Sequence, residues 1–129
     1  MKMTTSTRLV RGVTIVDLSG RIVLGEGGSA GLRDLVRNLA KEGIKKILLN
    51  LRNVDFVDSS GLGELVSAFT SMRSQGGELK LLNVTKRVHA LLQITKLLTL
   101  FDITDDEATS VSSFSPAIWP SSLPEPSAL

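Results

Sequence analysis

Three short polar side chains, Asp58, Ser59 and Ser60, stand together directly before two glycines, Gly61 and Gly63. A serine beside a carboxylate could serve as a nucleophile if a histidine acted as its base. Asp and Ser are also the residues that best cap the free amides at a helix start. Capping alone does not account for two glycines in one helical turn, where each costs up to about 1 kcal/mol relative to Ala. A tight turn or the close approach of another backbone would account for them.

The composition removes most of the groups that enzymes use. The 129 residues contain no Cys, no Tyr and a single His, and aromatic residues make up 4%. Disulfides, thiol nucleophiles, iron–sulfur clusters, thiolate zinc sites and His-rich metal sites are therefore excluded. A net charge of +2 with few aromatic rings does not suit nucleic-acid binding. We expect a protein that is not an enzyme, has no cofactor and no metal, and does not bind nucleic acid directly.

His89 is the one residue that could complete a catalytic triad. In a triad the carboxylate orients the imidazole from its far side, which is awkward when Asp58 adjoins Ser59 in sequence. The helical phase also places His89 away from the apolar face of its helix, so we expect an exposed histidine without a catalytic role. The glycines of segment 25–28 lack the Lys and Ser/Thr of a phosphate-binding loop. Helix-start carboxylates explain the acidic cluster near residue 105 better than a cation site does.

These residues must be positioned by a chain of alternating strands and helices. Runs at 8–10 and 13–19 around Arg11 and Gly12 predict a hairpin, and the apolar run 47–51 predicts a buried parallel strand. Apolar residues spaced from Leu62 to Met72 predict one face of a second helix, which begins at the 58–60 motif and stops at the glycines of 76–77. The order ββαβαβα(β)α predicts an α/β fold with a mixed, mainly parallel sheet of four to five strands and helices packed on it. Thr85 is expected to cap the third helix, and Thr104 with Glu107 to form a capping box for the last.

Composition changes sharply near residue 110. All four prolines and the single Trp, Trp119, lie within residues 116–129. We predict a folded domain over 1–110 and a Ser/Pro-rich tail over 111–129. The tail is either flexible or docked, on the folded domain or on a partner, through Phe114, Ile118 and Trp119. With no apolar segment of membrane-spanning length and no signal-peptide pattern, we expect a cytoplasmic protein without a membrane partner.

The motif and its surroundings resemble a known family. Segment 58–63 (DSSGLG) follows the apolar strand 47–51 and precedes the GGEL of 76–79, and segment 18–22 (LSGRI) ends a hairpin. This arrangement is similar to the STAS domain of anti-sigma factor antagonists, over about residues 8–108.

The resemblance implies a mechanism of partner switching. Members of this family bind an anti-sigma factor that is itself a serine kinase, and binding frees the sigma factor. The kinase phosphorylates the serine after the motif Asp, which is Ser59 here, and a serine/threonine phosphatase resets the protein. The resemblance assigns the partner surface to the residues Asp58, Ser60, Gly61, Leu62, Gly63, Glu64, Arg21 and Val23.

Simple electrostatics makes such a switch plausible. A phosphate adds about −1.5 to −2 charges, which a helix N-terminus tolerates. We therefore expect phosphorylation of Ser59 to leave the fold intact. Asp58 and Glu64 are expected to make the surrounding patch acidic, so that added charge and bulk repel a closely packed partner.

Two departures from the family pattern concern the partner surface. Many members carry an acidic residue where Val23 stands, and Arg21 precedes Ile22, so the identity of the partner stays open. The alternative function is a structural STAS subunit of a larger assembly, a stressosome-like scaffold or a lipid-transport complex, in which Ser59 is never modified. A homodimer is left open.

Overall fold

The computed structural model describes residues 4–22 and 28–114. Its elements, in chain order, are β1 (Thr4–Val10), β2 (Val13–Ile22), α1 (Gly28–Lys41), β3 (Lys46–Val57), α2 (Ser59–Ser74), β4 (Glu78–Leu82), α3 (Lys86–Ile94), β5 (Ile103–Thr104) and α4 (Glu107–Ser112).

One five-stranded sheet organises these elements in the order β1-β2-β3-β4-β5. β1 pairs with β2 in antiparallel fashion, and every other pair is parallel. The hairpin register sets Val10 opposite Val13 across Arg11 and Gly12, both of which have positive φ. The predicted element order and the mainly parallel sheet are confirmed. Within residues 4–22 and 28–114, no helix has the length and apolar character needed to cross a bilayer.

The central strands are apolar on both sides because helices cover both faces of the sheet. On one face Leu49 of β3 lies in a core shared with Val36 of α1 and Leu65 of α2. The neighbouring residue Leu48 points the other way, into a smaller core with Val111 of α4. A strand buried on both faces gives the continuous apolar run that marked β3 in the sequence.

The predicted cap of α3 is confirmed, but the predicted capping box of α4 is wrong. Thr85 caps α3, its hydroxyl accepting a hydrogen bond from the Val88 amide. In α4 the N-cap is Asp106, whose carboxylate accepts a hydrogen bond from the amide of Thr109 at 2.9 Å. Thr104 lies in β5 instead, where pairing with β4 fixes its backbone.

The end of α4 and the residues just after it pack on the sheet. Val111 and Phe114, both from the predicted tail, are buried in the smaller core. The Lys80 ammonium lies 5.0 Å from the centre of the Phe114 ring and donates a hydrogen bond to the Ser113 carbonyl at 3.1 Å. Phe114 therefore packs on the folded domain, which agrees with the docked alternative for this residue. Ile118 and Trp119 lie outside the described residues. The division into domain and tail stays a prediction.

Arg8 joins the edge of the sheet to α4. Its guanidinium donates hydrogen bonds to the carboxylate of Asp17 in β2 at 2.7 Å and to that of Glu107 in α4 at 2.6 Å. The Asn50 side chain also donates to Asp17, at 2.7 Å. The hydrogen bond from Arg8 lowers the pKa of Asp17 and likewise that of Glu107. The network thus stabilises both carboxylates in their charged form.

We expect Arg8→Ala to destabilise the fold by about 1 kcal/mol, because a shared guanidinium bridge is lost at a partly exposed site. At neutral pH, Arg8→Ala should show its full loss of unfolding free energy relative to wild type. This loss should shrink as the pH falls below about 4, because both carboxylates have lowered folded-state pKa values and lose their charge there. Urea unfolding at pH 7 and pH 3 measures it, with Arg37→Ala on α1 as the control. A pH-independent difference would contradict the charge network.

Candidate functional site

The candidate site is the junction between β3 and α2, where the motif of segment 58–63 lies. Asp58 is the N-cap of α2, with extended backbone angles, and its carboxylate accepts a hydrogen bond from the Gly61 amide at 2.7 Å. The Asp58 carbonyl accepts the first helical hydrogen bond, from the Leu62 amide at 2.8 Å. The Asp58 amide donates in turn to the carbonyl of Ile22, the last residue of β2, at 3.3 Å. One residue therefore fixes both the start of α2 and its position against the sheet.

Gly61 is a glycine because α2 begins directly against the end of β2. A Cβ at this position would overlap the carbonyl oxygen of Ile22 and would lie 2.8 Å from its carbonyl carbon. No rotamer change can relieve a clash between a Cβ and a backbone. The close approach of two backbones, one of the reasons offered for the glycine pair, is confirmed at Gly61.

Gly63 has no such constraint. Within 4 Å of its ideal Cβ position nothing is found among the described residues, and Gly63 is exposed. An alanine would fit and would favour the helix by up to about 1 kcal/mol. The intramolecular packing that explains Gly61 therefore leaves Gly63 unexplained.

Ser59 occupies the first helical position and is exposed, whereas Ser60 is half-buried. Neither hydroxyl has a hydrogen-bond partner in residues 4–22 and 28–114. In the same part of the chain, the amides of Ser59 and Ser60 also lack an acceptor. Of the amides that open α2, those of Asp58 and Gly61 are paired, and the two serine amides stay available at the positive end of the helix dipole.

Glu64 departs from its expected place in an exposed acidic patch. Its side chain is only 14% exposed, and one carboxylate oxygen lies 3.7 Å from the Arg33 guanidinium of α1. The other oxygen is buried without a hydrogen-bond partner in the described part of the chain. Because α1 packs against α2 here, Glu64 faces the neighbouring helix. Glu64 therefore contributes little negative charge to the surface around Asp58, where the sequence led us to expect it.

Leu62 also differs from its predicted place on the partner surface. It is 6% exposed and belongs to the main core, so it anchors α2 to the sheet. Gly61 is buried as well. Arg21 lies in β2 with its guanidinium 5.2 Å from the centre of the Phe56 ring, near the end of β3. Val23 lies outside the described residues.

The competing catalytic and metal-binding interpretations gain no support from these positions. His89 is exposed on α3, as the helical phase predicted. Over the described ranges, no group of three or more His, Asp or Glu side chains could hold a metal ion.

Sequence reasoning missed a surface beside the junction. Arg21, Asp55, Phe56 and Arg87 line one recess. Phe56 and Arg87 also line a neighbouring groove, which reaches Ile94 on α3. Ile94 is 79% exposed. In the sequence, the one available signal was an apolar residue, Ile94, at the end of a short amphipathic helix. Nothing in the sequence indicates that α3 lies beside the end of β3.

Comparison with known proteins identifies the family to which the chain belongs. The family model for the STAS domain matches residues 4–110. An anti-sigma F factor antagonist from Paenibacillus polymyxa is 34% identical over 107 residues, covering 79% of this chain and 86% of that protein. The chain belongs to the STAS domain family, and its sequence relatives there include anti-sigma factor antagonists.

Solved structures show the same fold. An anti-sigma factor antagonist from Mycobacterium paratuberculosis superposes with a TM-score of 0.76 at 17% identity, over 88% of this chain and 94% of that one. The Bacillus cell fate determinant SpoIIAA, in its phosphorylated form, gives 0.65 at 18% identity over 84% and 97%. These likenesses confirm the predicted STAS-like sheet with helices packed on it.

The two glycines should respond oppositely to the same substitution. We expect Gly61→Ala to destabilise the protein by about 2 kcal/mol or more, because its Cβ would overlap the Ile22 carbonyl. Gly63→Ala should leave stability unchanged or raise it by up to about 1 kcal/mol. Thermal and urea unfolding of the matched pair measure both effects. Equal destabilisation by the two substitutions would contradict the backbone contact at Gly61.

Proposed function

We propose that this protein is an anti-sigma factor antagonist that works by partner switching. In its unphosphorylated form it binds an anti-sigma factor serine kinase, which releases the sigma factor. Phosphorylation of Ser59 by that kinase ends binding, and a serine/threonine phosphatase restores it. The observation that carries the proposal is an exposed serine at the first position of a fixed helix, with a hydroxyl that makes no hydrogen bond to the described part of the chain.

The exposure of Ser59 supports its role as the phosphate acceptor. A kinase must bring its nucleotide to the hydroxyl, and Ser59 is exposed whereas Ser60 is half-buried. Ser60 is therefore the natural internal comparison, with the same chemistry one residue further into the helix. The phosphorylated form of SpoIIAA, a structure of the same fold, is consistent with a modifiable member of this fold.

The helix start supports a switch that leaves the fold unchanged. A phosphate on Ser59 would find the amides of Ser59 and Ser60, which have no acceptor within residues 4–22 and 28–114, and the favourable end of the helix dipole. The Asp58 cap and the packing of Gly61 against Ile22 involve neither serine hydroxyl. The modified protein should therefore keep its structure and present a changed surface.

The exposed glycine supports a partner that approaches closely. Gly63 lies one turn from Ser59 on α2 with open space where a Cβ would be. A partner backbone packed against this bare stretch of helix would sit within a few ångströms of Ser59. A phosphate there would add bulk and about two negative charges to a desolvated contact next to the Asp58 carboxylate. Because Glu64 is mostly buried against α1, the repulsion rests on Asp58 and the phosphate.

Substitutions at Ser59 should separate binding from modification. Incubated with ATP and its cognate anti-sigma factor kinase, the wild-type chain should gain one phosphate, at Ser59. Ser59→Ala should gain none and should bind the kinase at least as well as wild type. Ser59→Asp should bind at least tenfold more weakly, because a fixed negative charge is added at the contact. Mass spectrometry and titration calorimetry make these measurements.

Ser60→Ala is the matched control, since it removes a neighbouring hydroxyl and leaves Ser59 in place. It should still gain one phosphate, at Ser59. Phosphate on Ser60, or normal kinase binding by Ser59→Asp, would contradict the proposal. Stable binding of the wild type without any phosphate transfer would favour a structural STAS subunit instead.

A further inference from the structure

Two arginines from distant parts of the chain meet beside the switch. Arg21 comes from the end of β2 and Arg87 from the first turn of α3, and with Asp55 and Phe56 they line one recess. The Arg21 guanidinium lies over the Phe56 ring, 5.2 Å from its centre. Stacking on an aromatic face holds a guanidinium in place while leaving its N–H donors available at the edges.

The recess carries a net positive charge that is not neutralised within the described residues. Two guanidinium groups face one carboxylate, that of Asp55. In residues 4–22 and 28–114 the ion pairs involve Arg8, Arg33 and Lys80, and neither Arg21 nor Arg87 forms one. Arg87 also stands at the N-terminal end of α3, where the helix dipole adds to the attraction for an anion.

The recess continues into an apolar groove. Phe56 and Arg87 line both, and the groove extends over Val57 and Val88 to Leu91 and Ile94 of α3. Ile94 is 79% exposed, the highest exposure among the large hydrophobic residues of the described chain. A cationic recess joined to an aliphatic groove is complementary to an acidic side chain beside aliphatic ones. A polypeptide segment offers that combination.

The groove and the switch are linked by adjacent residues. Val57, at the edge of the groove, directly precedes Asp58, the residue that caps α2 next to Ser59. A partner bound over Ser59 and Gly63 is therefore close enough to contact the recess and groove in the same interface. Arginine and aromatic residues are the types that most often dominate binding at interface centres.

We propose that the Arg21–Arg87 recess and the α3 groove form a second contact for the partner kinase. The occupant is a kinase segment with an acidic side chain flanked by aliphatic residues. The carboxylate would be held between the two guanidinium groups, and the aliphatic side chains would cover Leu91 and Ile94. This inference rests on the proposed function and names the chemistry of the partner at that site.

A charge reversal with a matched control tests the cationic half. Arg87→Glu should weaken binding of the cognate anti-sigma factor kinase at least tenfold. Lys86→Glu should change it less than about threefold. The two variants have the same net charge and lie one residue apart, but only Arg87 lines the recess. Both residues are exposed, so both variants should fold, which thermal unfolding checks.

The apolar half has its own pair of variants. Ile94→Ser should weaken binding about fivefold, whereas Leu9→Ser, at the 71% exposed leucine of β1, should have no effect. Titration calorimetry at 0.15 M salt measures the kinase affinity of all four variants and of wild type.

The outcomes distinguish the two proposals. Equal effects of Arg87→Glu and Lys86→Glu, or normal binding by both Arg87→Glu and Ile94→Ser, would overturn the second contact while leaving the switch intact. A wild-type chain that neither binds the kinase nor accepts phosphate from it would overturn the proposed function, and this inference with it.

Discussion

The contact between Gly61 and the carbonyl of Ile22 is the constraint on which the site depends. It brings the start of α2 against the end of β2 so closely that no side chain fits between them. The Asp58 amide donates to the same carbonyl, and the Asp58 carboxylate holds the Gly61 amide. The junction is therefore fixed by backbone contacts and one cap, and Ser59 projects from a position that the core has already set.

This arrangement separates the stability of the fold from the chemistry of the proposed switch. The groups that hold α2 are buried or hydrogen-bonded, and they include neither the Ser59 hydroxyl nor Gly63. A modification at Ser59 then changes charge and shape at the surface without removing a structural contact. The same reasoning separates two glycines that look equivalent in the motif: Gly61 is required by a backbone contact, whereas Gly63 meets no neighbour among the described residues.

The element order, the hairpin at Arg11 and Gly12 and the start of α2 could be predicted from the sequence, because turn residues, helix caps and apolar periodicity act locally. What could not be predicted depends on which elements meet. Glu64 looked like an exposed acid until α1 and Arg33 were placed beside it. Thr104 matched the first position of a capping box, but its backbone pairs with β4 instead of starting a helix. The proximity of Arg21 and Arg87 joins residues 66 positions apart, and no local pattern encodes it.

The central claim is that phosphate on Ser59 alters the surface and leaves the fold unchanged. The most direct measurement compares wild type before and after stoichiometric phosphorylation, recording thermal unfolding and kinase affinity on the same samples. The account predicts midpoints within about 2 °C of each other, less than a 1 kcal/mol loss would produce, and an affinity at least a hundredfold weaker. A fall of many degrees, or an affinity that does not change, would contradict it.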